Sequence, residues 1–452
     1  MTNHIITISD DTDSVSLYSF TGAITTNWEL GALTEGADRI SELIDVTLQA
    51  SSVSALQTLA RSIETLFDRA RLRQQLGAGT RVFINVRWAG EADTWRSEIL
   101  GGHLEVRGAP DQFSRLKVEA LLAFDRAPYW EGDLAPVPLS NTNGSWNGIS
   151  STGLVIYNCG DQIGTSPTER VNYAQIAAGS VLGSIPAPVS IELKPVDAGP
   201  NFYSNFYLGV NANSDPSTLP LLIEAESRVG GGTVVADNSC SGGNKVTLSN
   251  YSSVDVYWNL DAAVLQSLSG RRFRLLLRLP SRTSVGRETV QATICNGGGV
   301  PVFTGPEIRL DRTDVVGRPL VELGSFPIPP GPYASIYTLV QIRLLFRVWS
   351  GTGTTSIDYI FMMPTESYRK IVLLNSALLN SDKIVDDGIE GITYASVNSY
   401  VGPYARGEGQ PVMIFPNRLQ RLYLLEDDET FGSSITDRFY IRMWYRPRRL
   451  TI

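Results

Sequence analysis

Only three cysteines occur in 452 residues, Cys159, Cys240 and Cys295. They lie far apart with no CxxC spacing, so neither a disulfide framework nor a zinc site is expected. Histidine is scarcer still: His4 and His103 are the full set. That removes most histidine-based metal sites and most Ser–His or Cys–His nucleophilic chemistry. No apolar run approaches the roughly 20 residues needed to span a bilayer; the stretch at 357–363 is short and interrupted by Asp358. The first ten residues carry no basic head and no apolar signal core, and read as a first strand. Lysine is also rare. Of the 38 basic residues 5 are Lys and 33 are Arg, a bias consistent with a GC-rich genome or with many Arg-mediated subunit contacts.

What is present is an ordinary folded composition, 42% hydrophobic and 19% charged, long enough for about two to four domains. A net charge of −8 disfavours a general nucleic-acid-coating role. One amphipathic helix is expected over 52–76, where Val53, Leu56, Leu59, Ile63, Leu66, Phe67 and Ala70 recur at helical spacing. Ser51 or Ser52 can cap its start, and Gly77 and Gly79 can end it. Nearly everything else alternates with period two: Val82, Ile84, Val86 and Trp88; Leu116, Val118, Ala120, Leu122 and Phe124; Phe273, Leu275, Leu277 and Leu279; Ile342, Leu344, Phe346 and Val348. Such rows, broken by Gly, Pro, Asn and Ser, predict a mainly β chain of antiparallel β-sandwich domains. Composition shifts near 132 and again after 374. They divide the chain into 1–132, a strand–helix–sheet domain; 133–374, a jelly-roll or galectin-like β-sandwich region; and 375–452, a C-terminal β segment.

Enzyme signatures are sparse. There is no nucleophile elbow, phosphate loop or HExxH helix, and the glycine runs at 230–232 and 297–299 read as hairpin loops. Glu224 and Glu226, at i and i+2 on an expected strand, would share a face, the minimum for a glycosidase carboxylate pair. Asp10, Asp11 and Asp13, and separately Glu426, Asp427, Asp428 and Glu429, could hold a hard cation, though solvated turns fit both runs. No cofactor and no metal is expected. Trp146, Tyr203, Tyr207, Tyr251, Trp258 and Trp349 are candidates for a carbohydrate platform, since flat apolar rings suit sugar faces; core packing is the competing reading. At the C-terminus Arg438, Arg442 and Arg446 alternate with Tyr440 and Trp444. In an acidic chain this face suits a protein partner or a carboxylate of the same chain, such as the 426–429 run.

The order of these features resembles phage distal tail proteins. An N-terminal β segment, one amphipathic helix and a sheet ending in Phe124-Asp-Arg-Ala-Pro-Tyr-Trp130 precede a sandwich module. The segments Phe415-Pro-Asn-Arg418 and Tyr440-Ile-Arg-Met-Trp-Tyr-Arg-Pro-Arg448 look like closing strands of tail and baseplate components. The resemblance is best over 1–132 and 405–452. It implies a ring, typically six-fold, at the tail tip of a long-tailed virion, joining tail tube to tip through other tail proteins. It also implies a middle module able to bind host surface glycans, with no membrane insertion and no sequence-specific nucleic-acid binding. Arg61, Arg71, Arg73, Arg87, Arg438, Arg442 and Arg446 are then the subunit-interface candidates, and Trp146, Tyr251, Trp258 and Trp349 the sugar-contacting ones. A free carbohydrate-binding protein is the alternative, and a glycoside hydrolase the third reading.

Overall fold

The computed structural model describes residues 4–19, 21–29, 38–77, 79–107, 116–158, 171–196, 201–212, 221–260, 268–284, 287–310, 320–328, 340–374, 377–428 and 437–451. The chain is mainly β, with antiparallel sheets and a single α-helix among these residues. Two compact units contain it. The first comprises 1–135, 182–185 and 446–452, and the second 136–181 and 186–445. The stretches 133–374 and 375–452 therefore fall mostly in one unit, because strand pairing joins residues that are distant in sequence.

In the first unit, strands β1 (Ile5–Ser9), β2 (Ser14–Ser16), β3 (Ala23–Glu29) and β4 (Ile40–Gln49) precede helix α1 (Val53–Leu76). Strands β5 (Val82–Arg87), β6 (Trp95–Arg107) and β7 (Lys117–Arg126) follow it, and the sheet order is β2-β1-β5-β6-β7-β4-β3. The Ser52 hydroxyl accepts from the Ala55 amide at 3.1 Å and caps α1. Gly77, at φ 65°, ends it in the left-handed conformation that glycine adopts without strain. The apolar stripe lands as the spacing predicts except at its start, where Val53 is exposed, and at Leu59, which is only partly buried. Leu56, Ile63, Leu66, Phe67 and Ala70 are buried against Ile44, Val46, Val118, Leu122 and Phe124 on one face of the sheet. Each large side chain so buried stabilises by about 1.5–3 kcal/mol. Gly102 lets the helix approach: a Cβ there would stand 2.8 Å from the Phe67 ring and 2.6 Å from Phe124 Cβ.

The chain's last strand, Arg448–Arg449, pairs with Trp130–Glu131 and completes this unit. Arg448 donates to Glu131 Oε1 from Nε at 3.0 Å and from Nη2 at 2.6 Å, and lies over the Tyr129 ring. Arg449 stacks on Trp95.

In the second unit a sandwich carries an inserted body. One sheet is centred on Asn201–Asn211, between Gln420–Asp428 and Ser367–Leu373; the other on Ala187–Pro195, between Arg438–Tyr445 and Ile384–Asp387. Tyr203, Phe206 and Phe439 meet between the sheets, with ring centroids 5.2–5.6 Å apart. Between Asn211 and Ser367 lie three four-stranded antiparallel sheets around one apolar core that includes Trp258, Phe273, Leu277, Ile342 and Phe346. The 297–299 glycines form the expected hairpin turn between Glu288–Asn296 and Pro301–Arg309. The 230–232 run differs: it is tucked against the strand Ser253–Leu260, where a Cβ on Gly231 would meet Asp255 O at 2.5 Å.

Candidate functional site

The aromatic candidates separate sharply by exposure. Trp146 is 3% exposed, donates to Ser150 O at 2.7 Å and packs edge-on against Trp444. Trp258, 1% exposed, donates to Glu224 O at 3.1 Å. Tyr251 is buried with its hydroxyl bonded to Glu288 and Thr355, and Tyr203 and Tyr207 are buried too. These five rings are core rather than platform: Trp146, Tyr251 and Trp258 lie on the buried side of strands whose other side is wetter, and Tyr203 and Tyr207 lie on a strand buried on both sides. Trp349 is the exception at 58% exposed, with Arg287 stacked 5.1 Å from its ring centroid.

The arginine candidates also separate. On α1, Arg61 is exposed and pairs with no carboxylate among the described residues. Arg71 pairs with Asp68 one helical turn away, while Arg73 reaches across to Glu98 at 3.3 Å. Arg87 is half-buried on β5. In the strand Arg438–Tyr445, Phe439, Ile441, Met443 and Tyr445 are buried while Arg438, Tyr440, Arg442 and Trp444 occupy the wetter face, as the alternation predicts. Arg442 pairs with Glu192, which also accepts from Lys383 at 3.0 Å. Burial works against the Glu192 carboxylate, but these two cations outweigh it and hold the carboxyl below its usual range. Arg446 donates to Gly132 O at 3.2 Å. For Arg442, the partner within the chain is thus Glu192. Glu426 instead meets the Asn158 amide, and Asp427 meets Ser204 and Asn205. Glu429 lies outside the described residues.

Glu224 and Glu226 do not share a strand face. The strand Leu222–Glu224 ends there, and Glu226 sits in the 3-10 turn Ala225–Ser227, where the Ala225 amide donates to Asp358 O. Both carboxylates still reach the turn at 241–243: Ser241 donates its hydroxyl to Glu224 at 2.6 Å, and a Cβ on Gly242 would stand 2.5 Å from Glu226 Oε1. Asp358 accepts from the Ser241 amide and pairs with Arg278; burial pushes its carboxyl up to about 6. Asp10 serves a different end. It accepts from the Thr12 and Asp13 amides and from Arg69 at 2.6 Å, and these bonds outweigh its desolvation to hold the carboxyl at about 2. The cation at the 10–13 turn is therefore Arg69. Cys240 and Cys295 are buried, unpaired thiols, with burial pushing Cys240 up to about 12; Cys159 lies outside the described residues. No helix among the described residues is long and apolar enough to cross a membrane, and no group of three metal-ligating side chains occurs among them.

Sequence reasoning missed a cleft of about 570 Å³ in the second unit. One wall is the sheet face in which Asn205, Val372 and Arg406 stand opposite one another across three strands, next to the row Tyr207, Lys370 and Glu408. The other wall comes from the inserted body and carries Glu307, Arg309 and Glu322. The cleft residues run from Asn205 to Asp427 along the sequence, and no local pattern marks them.

No protein-family model matches the chain, and no curated protein does. Among solved structures it is similar to the phage P2 baseplate in its activated conformation with Ca, at 6% identity over 93% of this chain and 98% of that chain, with a TM-score of 0.26. The same baseplate with Sr gives 7%, 93% and 97%, with a TM-score of 0.23. The infectious bursal disease virus Gt strain gives 9% identity over 70% and 79%, with a TM-score of 0.15. Scores this low carry no argument about fold or function.

Proposed function

We propose that this chain is a structural component of a phage tail tip, a distal tail or baseplate-hub ring protein that joins the tail tube to the tip and carries a glycan-binding module. The observation that carries this reading is the first unit. Its antiparallel sheet, single long helix and closing C-terminal strand stand in the order on which the resemblance to distal tail proteins rests. A ring needs a rigid body with two different exposed surfaces that meet head to tail and close by rotation. Helix α1 supplies one such surface: its outer side presents Arg61, Asp68 and Arg71 beside the exposed Leu72 and Leu76. The two sheet edges, β2 and β3, supply others.

Arg61→Glu tests the assignment, since it reverses charge on the helix without touching the buried stripe. Analytical ultracentrifugation should show a closed oligomer for the native chain and a shift toward monomer for the variant, with unchanged circular dichroism. An oligomer indifferent to Arg61→Glu and to Leu72→Asp would remove α1 from the interface. The free carbohydrate-binding reading predicts a monomer that binds glycans in either form.

A further inference from the structure

The geometry points to the cleft between the Asn201–Asn211 sheet and the inserted body as a binding site for a neutral oligosaccharide. This rests on the reading of the chain as glycan-binding and assigns that activity to a place. A volume of about 570 Å³ falls within the range of small-ligand sites, roughly 300–1,000 Å³, enough for about two sugar rings.

The chemistry of the walls selects the ligand class. Four carboxylates, Glu307, Glu322, Glu408 and Asp427, face three cations, Arg309, Lys370 and Arg406. Several of these groups are already partnered within the protein. Glu408 lies 2.9 Å from Arg406 and 3.9 Å from Lys370, Glu307 accepts from Thr289 at 2.6 Å, and Glu322 pairs with Arg274. With Arg274 counted beside Glu322, four cations stand against four carboxylates, so the walls carry no excess of one sign to select a polyanion or a polycation. They offer instead closely spaced donors and acceptors, which suit vicinal hydroxyl groups.

Their spacing is regular. Asp427, Asn205, Val372 and Arg406 form one row across four strands, and Tyr207, Lys370 and Glu408 the next. Adjacent strands lie about 4.8 Å apart, so neighbouring polar residues such as Lys370 and Glu408 stand at about the width of a pyranose ring, while Val372 separates Asn205 from Arg406. Val372 on this face gives a short apolar surface for sugar C–H groups.

The floor adds a separate observation. Asn205 is 1% exposed; its Nδ2 donates to Asp427 Oδ2 at 3.0 Å, which fixes the orientation of the amide, and its Oδ1 accepts from no protein donor. A buried acceptor without a donor is costly, and a ligand hydroxyl reaching the floor would supply one.

The test uses the full-length chain on an array of neutral and acidic oligosaccharides, with the strongest binder then measured by isothermal titration calorimetry. The cleft variants are Arg406→Ala with Glu408→Ala, both on an edge strand, and separately Lys370→Ala. Trp349→Ala reports on the exposed ring. The expected result is binding to a neutral glycan that weakens about tenfold or more in both cleft variants and is unchanged in Trp349→Ala, with melting curves showing all three variants folded. Native binding that ignores the cleft variants overturns this assignment and leaves the glycan-binding reading standing. A blank array for the native chain overturns both.

Discussion

The helix-covered sheet of the first unit and the inserted sandwich of the second solve the same burial problem differently. In the first, α1 covers one sheet face, and buried ion pairs stand beside packed indoles such as Trp28, Trp88 and Trp130. Arg126 and Glu42 form a fully buried ion pair at 2.7 Å, bridged further by the Trp28 indole at 3.0 Å, and Arg448 clamps Glu131. In the insert the interior is apolar, and the few buried ions, such as Arg278 with Asp358, sit where the chain passes between sheets. The lesson is that cutting one partner from a buried ion pair should cost as much as cutting a ring from an apolar core.

The largest effects test that equivalence. Glu42→Ala strands the Arg126 guanidinium in a dry site and should cost about 3–5 kcal/mol, read from denaturant midpoints. Phe67→Ala in the first unit and Phe346→Ala in the insert should each cost about 3–5 kcal/mol through lost contacts and a cavity. A Glu42→Ala cost near zero would break the comparison. Gly102→Ala should cost less, about 1–3 kcal/mol, because the added methyl meets Phe124 Cβ and Ala123 O of β7 as well as the Phe67 ring of α1. Smaller still is Arg39→Ala, which removes a solvent-exposed pair with Asp125 at 3.7 Å and should change stability by less than about 1 kcal/mol.

The pH dependence of the Asp10 turn sharpens the same contrast at the surface. Because the folded carboxyl is held at about 2, below its usual 3.8, its contribution is fully present above the ordinary value and is lost as pH falls through about 2. Arg69→Ala should move the Asp10 midpoint upward in an NMR titration, whereas Arg71→Ala should leave it in place.

The two regions were also unequally legible. Helix α1 was visible because its stripe and both caps lie within one stretch of sequence, from Ser52 to Gly77. The β5 and β7 rows were visible because one sheet face is buried under the helix and the other is wetter. In the second unit, alternation identified the strand Arg438–Tyr445 and its wetter face, but nothing local names Glu192 as the partner of Arg442. Trp146, Tyr251 and Trp258 carry no mark of burial either: a ring in a strand looks the same whether its face meets solvent or another sheet. The cleft was invisible for the same reason, since Asn205, Glu322, Lys370 and Arg406 meet only after long-range pairing.

The most direct test of the ring is the solution mass of the full-length chain by light scattering, read with negative-stain images of the same fractions. A six-fold ring gives a species near six times 49.4 kDa with a central opening. A monomer that persists to high concentration, with no closed particles in the images, would contradict it.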